Sequence, residues 1–224
     1  MRLLLLLAAF SSFCDATESS IQFDVVFLVD GSQAAKPYFT IFTSFIQNLM
    51  SPYNVGLNGV RIGLIVVAPN EYDQAPPVAV LSQITSFPSL IAYLNLMKEF
   101  ASFDGMGQYL KENLQLVSSE NFMAPANGYR ADIDNHLLVY ITSSTLFDAD
   151  PVPVARTILN TMKYGMVTIG YGTDVDHEKL RKIAGGKPCS YSASNETELN
   201  SHIKSIRRHI LYADANKGKY CGNL

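Results

Sequence analysis

The 224-residue chain predicts an α/β fold: a doubly wound, mostly parallel sheet of six strands with one antiparallel edge strand and helices on both faces. Three observations carry this. Residues 25–29 are an uninterrupted apolar run rich in valine, as a strand buried on both faces of a parallel sheet requires. That run stops at Asp30-Gly31-Ser32, which puts an acid and a hydroxyl at a strand's carboxyl end, where open α/β sheets carry their ligand sites. Beyond it, apolar runs of strand length alternate with segments of helical periodicity.

In order, residues 37–50 place Phe39, Phe42, Phe45, Ile46 and Leu49 on one helical face, and Ser51-Pro52 ends it. Residues 60–68 read as a second buried strand and residues 78–81 as a third. The link between them is too short for a crossover helix, so the third strand is expected to be antiparallel. It belongs at an edge, where Pro76 and Pro77 cost no ladder hydrogen bonds. Helices are expected over 87–100 and 106–117, separated by the loop 101–105. A strand at 137–142, a helix at 152–164, a strand at 166–170, a short helix at 176–184, a short strand at 189–192 and a closing helix at 195–211 complete the alternation.

Met1-Arg2 and the apolar residues 3–10 have the pattern of a secretory signal peptide, too short to span a bilayer. Cleavage is expected after Ala16, with Cys14 and Ala16 at the small-residue positions; a cut after Ser11 would retain Cys14. Residues 17–224 then form one extracellular domain with two cysteines, Cys189 and Cys221, expected to pair in an oxidising compartment, the alternative being two buried thiols. A net charge of −3 gives no basic surplus for nucleic acid or anionic lipid, and no later segment reads as a membrane span.

The run Phe23-Asp24-Val25-Val26-Phe27-Leu28-Val29-Asp30-Gly31-Ser32, the strand Val60-Arg61-Ile62-Gly63-Leu64-Ile65, the strand Leu138-Val139-Tyr140-Ile141-Thr142, and Val167-Thr168-Ile169-Gly170-Tyr171-Gly172 with Leu180-Arg181-Lys182-Ile183-Ala184 resemble the von Willebrand factor type A domain. That Rossmann-like family is related to the integrin inserted domain, and the resemblance covers about residues 22–211. It implies a metal-ion-dependent adhesion site, in which an Asp-x-Ser-x-Ser loop, a Thr from a second loop and an Asp after the fourth strand hold a divalent ion that takes a carboxylate from a partner protein. Here Asp30 and Ser32 match, but the third position is Ala34. The Thr position falls at about Ser102, and the family's Ile-Thr-Asp is Ile141-Thr142-Ser143. The implied metal set is thus Asp30, Ser32 and Ser102, a degenerate one, with Asp104 a further carboxylate if its loop bends inward. No cofactor is expected beyond weakly held Mg²⁺ or Mn²⁺. The plainer role for these side chains is to cap helices and tie loops.

Enzymatic readings find little support. A haloacid-dehalogenase-type phosphatase needs a second Asp where Ser32 stands, no Gly-x-Ser-x-Gly elbow is present, and Gly105-Met106-Gly107 lacks the rest of a dinucleotide fingerprint. His136, His177, His202 and His209 show no metal-ligand spacing shared with a cysteine. Asn195-Glu196-Thr197 is a glycosylation sequon, and Asn195 is equally placed to cap the last helix, with Glu198 three residues on. The expected function is a secreted, non-catalytic, adhesion-type module that binds an extracellular protein through the loops at the top of its sheet, where Tyr38, Phe103, Phe147 and Tyr171 fall. A functional metal-dependent adhesion domain and a matrix or immune-type structural component are the alternatives.

Overall fold

The computed structural model describes residues 21–68 and 77–221; the expected signal segment, residues 1–16, and Pro76 lie outside the described residues. The valine-rich run becomes β1 (Asp24–Asp30), buried at every position. It pairs in parallel with β2 (Arg61–Val67) on one side and β3 (His136–Thr142) on the other. β4 (Gly165–Tyr171) and β5 (Ser190–Ala193) follow, giving the order β2-β1-β3-β4-β5. The order reverses direction at β1, so the top of β1 is a topological switch point, where such sheets leave a crevice for a ligand.

Side-chain alternation splits the core into two layers. Val25, Phe27 and Val29 pack with α1 (Phe39–Met50), α2 (Phe87–Leu96), α6 (Glu196–Ser201) and α7 (Ile203–Ala215). Val26 and Leu28 face α3 (Leu110–Val117), α4 (Val152–Asn160) and α5 (His177–Ile183). Helix starts are fixed locally: the side chains of Ser86, Asp176 and Asn195 accept from the backbone N–H of Ser89, Lys179 and Glu198.

Among the described residues the sheet has five strands, all parallel, rather than six with an antiparallel edge. Residues 78–79 do approach β2 antiparallel, but only as a single bridge at Leu64 and Ala79. The pairing stops because the next donors are taken elsewhere: Val80 N–H by the Gln83 side chain at 2.8 Å, Ser82 N–H by the Asn127 carbonyl at 3.0 Å. The helix expected over 106–117 begins only at Leu110, since Gly107 sits at φ +88° and Gln108 is fully buried. The helix expected over 87–100 finishes as a 3₁₀ turn, Met97–Phe100, and the closing helix breaks into α6 and α7 at His202, whose ring nitrogen meets Ser192 O at 2.7 Å.

At the opposite end of β1, Asp24 is fully buried against Arg130. The guanidinium also donates to the carbonyls of Phe23 (2.9 Å) and Gly59 (3.0 Å), and Arg130 N–H reaches Asp24 at 3.2 Å. These bonds fasten the segment before β3 beneath the sheet.

Candidate functional site

Asp30 ends β1 with no exposed surface. Its Oδ1 accepts from Ser32 N–H at 2.9 Å, and its Oδ2 accepts from Thr142 Oγ1 at 2.8 Å and Ser143 N–H at 3.1 Å, with Ser143 Oγ at 3.4 Å. Thr142 and Ser143 arrive because β1 and β3 run parallel in register, with Val29 opposite Ile141. Burial holds the Asp30 carboxyl above its ordinary range, and the donors from Ser32, Thr142 and Ser143 offset part of that rise.

Residue 108, which the sequence reading passed over, is the centre of the arrangement. Gln108 Nε2 lies 3.3 Å from Asp30 Oδ2, 3.2 Å from Thr142 Oγ1 and 3.0 Å from Ser144 O. Its Oε1 accepts a hydrogen bond from the hydroxyl of Tyr140, itself fully buried. Four polar side chains from β1, β3 and the turn before α3 thus form one closed network in which an amide N–H₂ faces three oxygens. Burial drives the Tyr140 hydroxyl well above its usual pKa, aided by the nearby Asp30, so it remains a donor. The signal available in sequence was a lone glutamine after a glycine pair, which has no motif to mark it.

The other expected metal residues are placed unequally. Ser32 is 2% exposed; its hydroxyl lies near enough to favour the Asp30 anion, yet meets no hydrogen-bonding geometry among the described residues. Ser102 is half-buried in a turn where Gly105 N–H bonds its carbonyl at 3.1 Å, and Gly105 O accepts from Gln33 N–H at 3.0 Å, so its loop lies against the Ser32 loop. Asp104 is exposed on that turn rather than bent inward. The aromatic residues of the top are mostly tucked: Tyr38 packs on Tyr171 (centroids 5.0 Å apart), Phe103 on Phe39 (5.3 Å), and Lys179 Nζ covers Phe147 at 4.6 Å. The large apolar side chains that do face solvent here are Met106, 73% exposed, and Leu146, 56% exposed, neither singled out from the sequence.

Away from this end, Cys189 and Cys221 lie at disulfide distance, with Cα atoms 5.5 Å apart. His209 shows no metal-ligand spacing with a cysteine in sequence, its separations from Cys189 and Cys221 being 20 and 12 residues, yet it is a buried residue that α7 carries to within 4.8 Å of both sulfurs. Asn195 is exposed; its Oδ1 caps Glu198 N–H at 2.9 Å and its Nδ2 lies 3.2 Å from Ser194 Oγ. The reciprocal half of the box goes to Ser194, whose N–H donates to Glu198 Oε2 at 2.8 Å. No helix among the described residues is long and apolar enough to cross a membrane.

Known proteins share this fold. Residues 24–206 match the von Willebrand factor type A domain model. Protein irg-7 of Caenorhabditis elegans is 47% identical over 206 residues, 92% of this chain and 9% of its own length. Human collagen alpha-6(VI) chain is 24% identical over 89% of this chain and 8% of its own length. The chain therefore spans less than a tenth of either relative. Among solved structures, proximal thread matrix protein 1 of the mussel byssus superposes with a TM-score of 0.74 at 17% identity, over 87% of this chain and 48% of that one. A second structure of it has zinc in its metal-ion-dependent adhesion site (TM-score 0.70, 16% identity, 84% and 46% covered). Manganese-loaded TRAP protein of Plasmodium vivax gives 0.65 at 16% identity, over 84% and 74%. With the family model covering most of its length and this parallel sheet beneath it, the chain belongs to the von Willebrand factor type A domain family.

Proposed function

We propose that this chain is a secreted, non-catalytic, adhesion-type module that binds an extracellular protein through the loops above β1 and β3, without a resident metal. One observation carries the reading: the Gln108 amide points its hydrogens at the oxygens that a cation would need. A divalent ion needs oxygen lone pairs and anionic charge. Here Asp30 supplies the one carboxylate of the set, Ala34 supplies no oxygen, and Ser143 spends its N–H on Asp30 rather than offering a charge. The donor set does not fit Mg²⁺ or Mn²⁺, and an N–H₂ donor takes over the ion's task of holding Asp30 and the β3 loop together.

Without an ion to draw a partner's carboxylate, contact falls to apolar surface, which Met106 and Leu146 provide. Secretion is supported by the leader pattern of residues 1–16 and by the likeness to a collagen chain and a byssus matrix protein. Residues 17–224 form the mature domain, bridged by Cys189–Cys221, with Asn195 as the glycan acceptor. The test is capture of extracellular proteins on the immobilised chain with and without chelator. Captured partners should survive chelation and be lost from Met106→Asp/Leu146→Asp; release by chelator alone would refute the reading.

A second reading, a functional metal-dependent site, is favoured by one atom: the buried Ser32 hydroxyl has no geometric partner among the described residues, as a displaced ligand would be. It requires Gln108 to swing out, and it predicts release by chelator.

A further inference from the structure

His209 is 5% exposed, and its Nε2 is engaged by the carbonyl of Pro188 at 3.0 Å, while its Nδ1 is buried without a partner among the described residues. The ring and the sulfurs of Cys189 and Cys221 bring their ligand atoms within 4.8 Å of one another. A hydrogen bond from Nε2–H to Pro188 O fixes the tautomer that leaves a lone pair on Nδ1, as outer partners do for metal-binding histidines. Tetrahedral zinc at about 2.3 Å from sulfur and 2.0 Å from nitrogen holds its ligands about 3.5–3.8 Å apart, so the ring is already within reach and the two sulfurs, bonded to each other in the oxidised chain, have to part to about that distance.

We propose that Cys189, Cys221 and His209 form a redox-gated site for a thiophilic divalent cation, closed as a disulfide and opened to zinc by reduction. A dithiol reductant passes two electrons and two protons to the Cys189–Cys221 bond and is itself oxidised to a disulfide. The metal then displaces the two thiol protons, and Nδ1 of His209 completes three ligands. A fourth position is reached from solvent, since Cys221 lines a cavity of about 900 Å³ with Lys187, Gly186 and Tyr220. Three protein ligands and one open position leave room at the metal for water or a small ligand, whereas structural zinc fills all four positions with protein. In either state the tail stays tied to the start of β5, by a covalent bond or by a metal. The proposal stands apart from the top of the sheet and does not depend on what binds there.

The experiment is an anaerobic titration of the full chain with Co²⁺, before and after reduction by a non-chelating phosphine. The reduced chain should take up one equivalent, with thiolate-to-cobalt charge transfer and the intense visible bands of tetrahedral cobalt, all lost on adding Zn²⁺; the oxidised chain should show neither. His209→Ala should weaken binding by at least the roughly 10–100-fold that losing even an outer-shell partner costs. Should that variant fold poorly by circular dichroism, a second measurement decides: one equivalent of Zn²⁺ should release two protons and shield both thiols of the native reduced chain from alkylation. Absence of charge transfer in the reduced native chain, unprotected thiols, or unchanged affinity in a folded His209→Ala would overturn the proposal.

Discussion

Replacing Gln108 with alanine tests whether its amide is a structural substitute for an ion. The Tyr140 hydroxyl, fully buried, would lose its acceptor, and a buried polar group left unpaired costs about 1–3 kcal/mol. Asp30 would lose one donor but keep Ser32 N–H, Thr142 Oγ1 and Ser143 N–H, and Ser144 O would still face Thr142 Oγ1. The Tyr140 loss therefore dominates, and with the vacated side-chain volume a total near 3 kcal/mol is expected. For a domain of this size that lowers Tm by about 6–12 °C, measurable by calorimetry or by the urea midpoint at unchanged slope. Tyr140→Phe removes the other half of the same bond, so the double variant should be less destabilised than the sum of the singles by about 1–2 kcal/mol. A Tm change under about 2 °C for Gln108→Ala, or strict additivity with Tyr140→Phe, would refute the network.

Arg130→Met takes the guanidinium from buried Asp24, leaving beside it only the His136 ring at 3.4 Å, and should cost about 3–5 kcal/mol, largely recovered in Asp24→Asn/Arg130→Met, by urea unfolding. Because burial raises the Asp30 pKa in the folded chain above its ordinary 3.8, the folded state holds that proton more tightly than the unfolded one. Its contribution is complete below the unfolded value and lost as pH rises through the folded one, so Asp30→Asn should flatten the decline of urea midpoints with increasing pH. Cys189→Ser should cost about 3.5 kcal/mol by releasing a 32-residue separation, and native peptide mapping should recover Cys189 linked to Cys221.

Fold class was legible because buried parallel strands announce themselves as apolar runs, and β1, β3 and β4 fall within a residue or so of their sequence bounds. The false sixth strand shows where that signal fails. Residues 78–81 have the composition of a strand, but pairing needs free donors, and Gln83 and Asn127 hold two of them through contacts that periodicity does not encode. Asp30 was legible at the site by its place at a strand end. Gln108, Tyr140 and His209 were not, since each acquires its role from partners brought in by the sheet or by α7.

The central claim, that an amide replaces the ion, is tested most directly by calorimetric titration of Mg²⁺ and Mn²⁺ into the native chain and into Ala34→Ser/Gln108→Ala/Ser143→Asp. The native chain should give no binding heat and no gain in Tm, whereas an ion present at a hundred times its dissociation constant would add about 2.7 kcal/mol. The substituted chain, with a hydroxyl added at position 34 and a second carboxylate at position 143 in place of the Ser143 hydroxyl, should gain a saturable site. Saturable Mg²⁺ or Mn²⁺ binding by the native chain, abolished by Asp30→Ala, would contradict the account.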